Sequence, residues 1–154
     1  MTAIELLKNW VHVAGIDNAA LDKSGRVCAF IFDNRLPVSI EAPAYSDDLF
    51  IVVEITPVGT GEVRRKRLEA AMQLNAYALE TRGAVLGWDT VGERITLTYR
   101  TTAETTSAEQ LDNMIGNIVE IADHLQPSLV MEQECARQEQ VNNSMNLNLQ
   151  AIQP

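Results

Sequence analysis

EVRRKRLEAAMQLNAYALETRGAVLGWDTVGERITLTYR, residues 62–100, is the stretch whose reading decides the fold. Its first half, Glu62–Thr81, is rich in Ala, Leu, Met, Arg and Glu, all good helix formers, and reads as one long helix. Arg82-Gly83 stops it, because glycine takes the left-handed cap conformation without a Cβ penalty. Ala84–Asp89 then reads as a strand, Thr90–Glu93 as a turn containing Gly92, and Arg94–Arg100 as the returning strand. In that strand Ile95, Leu97 and Tyr99 alternate with Thr96, Thr98 and Arg100, the period of a strand with one buried face.

Upstream, Thr2–Ala14 reads as a short amphipathic helix, with Thr2 and Glu5 spaced for a capping box. Its apolar stripe, widened by Leu6, Trp10 and Val13, exceeds what packing on a single sheet face requires. After the Asp22-Lys23-Ser24-Gly25 turn, strands are expected at Val27–Phe32, Val38–Ala42 and Leu49–Ile55. Short turns between them imply an antiparallel meander. Downstream, Ser107 with Gln110 opens a last helix whose apolar positions Leu111, Met114, Ile115, Ile118, Val119, Ala122 and Leu125 recur at helical spacing. Pro127 should end it. The order α-β-β-β-α-β-β-α is that of an α+β domain, with three helices packed on an antiparallel sheet. That domain is expected over residues 1–127. Residues 128–154 read as a polar extension, helical to about Gln140 and disordered beyond Val141.

A chain of 154 residues suits one domain, burying about 70% of the surface it exposes unfolded. Its net charge of −9 excludes a general binder of phosphate backbones, which needs surplus Lys and Arg. Glu5 and Lys8 interrupt the first apolar run, so it is not a secretory leader, and no run is long enough to span a bilayer. Cys28 and Cys135 are too few and too far apart for a disulfide framework. A cytoplasmic protein without membrane insertion is the simplest reading.

The search for chemistry returns little. His12, His124, Cys28 and Cys135 have no metal-ligand spacing, so neither a metal nor a cofactor is expected. Cys28 in a strand reads as a small buried hydrophobe, and Asp47-Asp48 as a solvated turn. Gly59-Thr60-Gly61 opens a helix but lacks the lysine of a P-loop. Arg64-Arg65-Lys66-Arg67 sits where positive charge opposes the helix dipole, so it must gain elsewhere. Pairing with acidic groups or solvation suits it better than nucleic acid. No enzyme signature survives.

Leu74-Asn75-Ala76-Tyr77 running into Gly83-Ala84-Val85-Leu86-Gly87-Trp88-Asp89, the Leu21–Gly25 turn before a strand, and the Ser107–Leu111 helix start resemble one family. It is that of the class I type III secretion chaperones, the Tir-chaperone (CesT-like) family, and the resemblance covers about residues 2–125. The resemblance implies a homodimer without enzymatic activity that binds the N-terminal segment of a secreted effector in extended, export-competent form. The export ATPase would be a further partner. It maps the dimer contact onto Met72, Ala76, Leu79, Val85, Leu86 and Trp88, a set whose spacing permits one apolar face. It maps effector binding onto Ile4, Leu7, Trp10 and Val11 of the first helix and Val27, Ala29 and Ile31 of the first strand. Two other readings stand beside it: an adaptor dimer for folded partners, and a small-ligand protein using Cys28 or His12.

Overall fold

The computed structural model describes the backbone of residues 1–150, with side chains through Val130. Helix α1 (Ala3–Val13) is followed by strands β1 (Val27–Phe32), β2 (Leu36–Glu41) and β3 (Asp48–Pro57), then helix α2 (Gly61–Asn75). Strands β4 (Val85–Asp89) and β5 (Arg94–Thr102) and helix α3 (Ala108–Gln150) complete the chain, in the order the sequence implies. The five strands form one antiparallel sheet, ordered β1-β2-β3-β5-β4.

Alternation along the strands gives the sheet two unlike faces. Cys28 on β1, Leu36, Val38 and Ile40 on β2, Leu49, Ile51 and Val53 on β3, and Leu97 on β5 point one way and are buried. Helices α1 and α3 lie over this face, and α2 packs against α3 and β4. The first helix is capped as its sequence implies, with Thr2 Oγ1 accepting from the Glu5 N–H and Glu5 accepting from the Thr2 N–H. Trp10 ties the layers together. Its ring centroid lies 5.8 Å from that of Phe30, and its Nε1 donates to Asp112 on α3 at 3.0 Å.

Two helix ends differ from the sequence reading. Helix α2 stops at Asn75 rather than Thr81. Ala76 turns extended, and Tyr77 and Ala78 take left-handed backbone (φ 62° and 53°) despite good helix propensity. The cause is tertiary: the Asn75 side chain binds the backbone of Leu86 in β4, so the chain must leave the helix axis there. Helix α3, conversely, runs through Pro127. A proline in a helix interior costs roughly 3 kcal/mol. Leu125 and Leu129 on either side are both fully buried, which contributes about 1.5–3 kcal/mol each. The sequence reading ends helical structure near Gln140, whereas the backbone of α3 is described to Gln150, and residues 151–154 lie outside the described residues.

Candidate functional site

The sheet face opposite the helices is open. Across it run Ala29, Ser39, Val52, Thr98 and Val85, each paired in register with the next. Beside that row lies a second, Val27, Glu41, Phe50 and Arg100. A shallow hollow of about 510 Å³ lies here, lined by Ala29, Ile31, Pro37, Val52 and Glu54 among others. Ile31 is 56% exposed, an aliphatic side chain standing in water on an edge strand.

The backbone of β1 is open on the same side. Antiparallel pairing turns the N–H and C=O of alternate residues to the partner strand and the others outward. The outward parity includes Val27, whose carbonyl accepts from the Asp22 N–H at 2.8 Å and whose N–H donates to Asp22 Oδ1 at 2.9 Å. Ala29 and Ile31 share that parity, but the antiparallel bridge of Leu21 with Cys28 lays residues 20–22 along β1 as far as Ala29, so Ile31 is the residue whose outward groups lie beyond that segment. Asp22 also accepts from Ser24 Oγ and from the Arg26 N–H, and these bonds hold its carboxyl far below the usual range.

A second apolar surface lies at the far end of the sheet. Met72 and Leu79 are each 75% exposed, and Val85, Trp88 and Tyr77 are also in solvent. The guanidinium of Arg64 sits 5.2 Å from the centre of the Trp88 ring. The same side chain meets Glu93 at 2.6 Å and donates through Nε to the Gly59 carbonyl at 3.0 Å. Arg65 bridges Glu62 and Glu69, and buried Arg67 donates to the Pro57 carbonyl. The basic cluster is therefore tied largely into its own neighbourhood, which offsets the unfavourable helix dipole.

The structure sorts the expected site residues. Leu7, Trp10 and Val11 are buried in the core of the protomer (0%, 2% and 1% exposed), which corrects their assignment to a surface groove. The wide stripe of α1 is explained by two neighbours, the sheet and α3, rather than by an absent partner. Ile4 remains half-buried at the rim of a smaller hollow with Thr2, Arg26 and Tyr45. Val27, Ala29 and Ile31 come together on the open face. Of the six positions mapped to a dimer contact, Met72, Ala76, Leu79, Val85 and Trp88 are exposed and Leu86 is buried. The single continuous face also needs correction, since the pleat of β4 puts Val85 on the open side and Leu86 and Trp88 on the other.

Sequence reasoning missed Phe50 and Val52, which look like plain core in a run dense with Ile and Val. Only the pairing of β3 with β2 and β5 shows that they face outward. It also missed the part played by Asn75, although a polar residue closing a helix was a usable signal.

Cys28 is buried, and burial pushes its thiol up. Asp48 is paired with Arg100 at 2.9 Å and accepts from Ser46, which lower its carboxyl. Among the described residues no group of His, Cys, Asp and Glu is placed to hold a metal ion. No described helix is long and apolar enough to cross a membrane.

Comparison with known proteins places this geometry. The fold is similar to one seen in the ExsC–ExsE complex (TM-score 0.65, 18% identity, 82% of this chain and 92% of that one). It is similar to one in the HopA1–SchA chaperone–effector complex (TM-score 0.59, 16% identity, 79% and 91%). It also matches a chain in the structure of the Yersinia pestis type III secretion chaperone SycH with a stable fragment of YscM2 (TM-score 0.57, 16% identity, 80% and 99%). A sequence comparison with curated proteins finds no match. The family model of the Tir chaperone protein (CesT) family matches residues 5–126. With that match over most of its length, and with the helix-backed five-stranded sheet of type III secretion chaperones, the chain belongs to the Tir chaperone protein (CesT) family.

Proposed function

We propose that this protein is a cytoplasmic type III secretion chaperone. As a homodimer it holds the N-terminal segment of a secreted effector in extended, export-competent form. It works by binding and not by catalysis. The observation that carries this reading is the β1 edge, where the outward groups of Ile31 adjoin an uncovered apolar face. An extended client strand satisfies its own backbone on such an edge and sets alternate side chains on the adjoining face. Val27, Ala29 and Ile31, with Ile4 at the rim, are the client-binding residues of this reading. Met72, Ala76, Leu79, Val85 and Trp88 are the residues through which two copies meet. Large exposed apolar side chains clustered at one end of a small protein mark such a contact. The similar structures with bound effectors support an effector as the partner. No nucleotide is required, since the binding energy itself keeps the client unfolded, and release falls to the export ATPase.

The test is affinity purification of the tagged protein from its own bacterium while the secretion system is expressed, followed by mass spectrometry and limited proteolysis. Recovery of a larger protein with a protected N-terminal segment, lost with Ile31→Asp, is the expected result. Recovery of the protein alone would overturn the reading.

A further inference from the structure

The sheet has two edges, and the chain covers part of each. On β1, residues 20–22 lie along Val27–Ala29 and leave the outward groups of Ile31 open. On β4 the pairing with β5 leaves Leu86 and Trp88 facing outward, and there the chain intervenes. The Ala84 N–H donates to the Thr81 carbonyl at 3.0 Å. Asn75, at the last turn of α2, then meets Leu86 twice. Its Oδ1 accepts from the Leu86 N–H at 2.8 Å, and its Nδ2 donates to the Leu86 carbonyl at 2.9 Å. Only one orientation of the amide satisfies both groups. One planar acceptor and donor set against one residue's outward N–H and C=O reproduces what a residue of an adjoining antiparallel strand supplies.

We propose that Asn75 is an edge clamp that closes β4 at Leu86 to an added strand, whether from a client or from a second copy. An open strand edge invites pairing with any extended chain, and natural sheets block such edges. Here the block is one side chain. Beyond it Trp88 offers the outward groups of a single residue. Two copies meeting at this end therefore do so through side chains and not by continuing the sheet. Asn75 is a positioning residue in the same sense, since the clamp marks where the chain leaves α2 and how Leu79 and Trp88 are presented.

The experiment uses the full chain as wild type, Asn75→Ala and Asn75→Asp. It reads hydrogen exchange at the Leu86 amide and mass by light scattering over a wide concentration range. In Asn75→Ala, exchange at Leu86 should accelerate at least tenfold while amides of β1–β3 keep theirs, and mass should rise with concentration beyond the wild-type value. Asn75→Asp keeps an acceptor for the Leu86 N–H but sets a carboxylate against the Leu86 carbonyl at neutral pH. Protonation near pH 4 restores a donor, so its exchange, corrected for the intrinsic rate, and its mass should return toward wild type in acid. A mere loss of packing would not respond in that way. Unchanged exchange at Leu86 in Asn75→Ala overturns the clamp, and faster exchange with unchanged mass overturns its guarding role. Should Asn75→Ala fail to fold, the acid rescue of Asn75→Asp, present or absent, decides. Single-chain mass for the wild type would remove the homodimer reading, while the exchange data would still decide the clamp.

Discussion

Arg64 lies over the indole of Trp88, 5.2 Å from the ring centre, and is itself held by Glu93 and by the carbonyl of Gly59. One basic side chain thus links the start of α2, the β4–β5 turn and an aromatic group at the exposed end of the sheet. A cation over an aromatic face in a half-exposed setting contributes about 0.5–1 kcal/mol. The larger effect is orientation, since a ring held in place loses less entropy when a second surface covers it.

Trp88→Asp and Leu79→Asp should each weaken the dimer by roughly 2 kcal/mol or more, about thirtyfold, because buried aromatic and large apolar anchors dominate such contacts. Leu79 is 75% exposed in the protomer, so Leu79→Asp should leave folding nearly untouched, whereas Trp88, 40% exposed and in contact with Arg64, should also cost the protomer about 1 kcal/mol of stability. Arg64→Ala should weaken the dimer by a few-fold only. Light scattering against concentration reads all three, and dimer mass persisting in Trp88→Asp at low micromolar protein would sink this interface.

Strand addition on β1 makes a backbone prediction. The Ile31 N–H faces away from β2, so Ile31→Pro removes a donor from the open edge without taking a bond from the β1–β2 ladder. Client affinity should fall at least tenfold by calorimetry while the thermal midpoint changes little. If the client binds Ile31→Pro as it binds the wild type, side chains alone carry recognition.

The core position of α1 predicts folding defects, not binding defects. Trp10→Asp and Val11→Asp place a carboxylate in a buried site without a partner and should prevent folding. Trp10→Phe loses the bond to Asp112 and part of the packing, and should cost about 1–2 kcal/mol. Circular dichroism with urea titration separates these cases. A natively folded Trp10→Asp that had lost only its client would restore α1 as a groove.

Acid should destabilise the fold in a definite window. Hydrogen bonds from the Ser24 hydroxyl and the Val27 N–H lower the Asp22 carboxyl, Arg100 lowers Asp48, and Arg35, at 2.5 and 2.8 Å, lowers Asp123. Each group binds its proton more weakly folded than unfolded. Its contribution is therefore complete above the ordinary carboxylate range near pH 4, and is lost as pH falls through the lower folded value. Urea midpoints should be level from pH 7 to about 5 and fall steadily below 4. Asp22→Asn should flatten part of that decline, since the substituted side chain takes up no proton.

Local pattern sufficed for much of this molecule. The alternation of Ile95, Leu97 and Tyr99, the spacing of Leu111 to Leu125 and the Thr2–Glu5 cap each act over a few residues, so element order, the antiparallel sheet and the family resemblance could be read from the chain as written. Those signals are short-range by nature. What the chain could not disclose is set by which surfaces meet. Leu7, Trp10 and Val11 look like an unfilled groove until α3 and the sheet close over them. Phe50 and Val52 look like core until β2 and β5 turn them to the open face. Helix α2 ends at Asn75, against the propensity of Ala76–Thr81, because an amide reaching Leu86 across eleven residues outweighs one more turn. Burial and edge closure are properties of pairs of elements, and they exist only once the layers have packed.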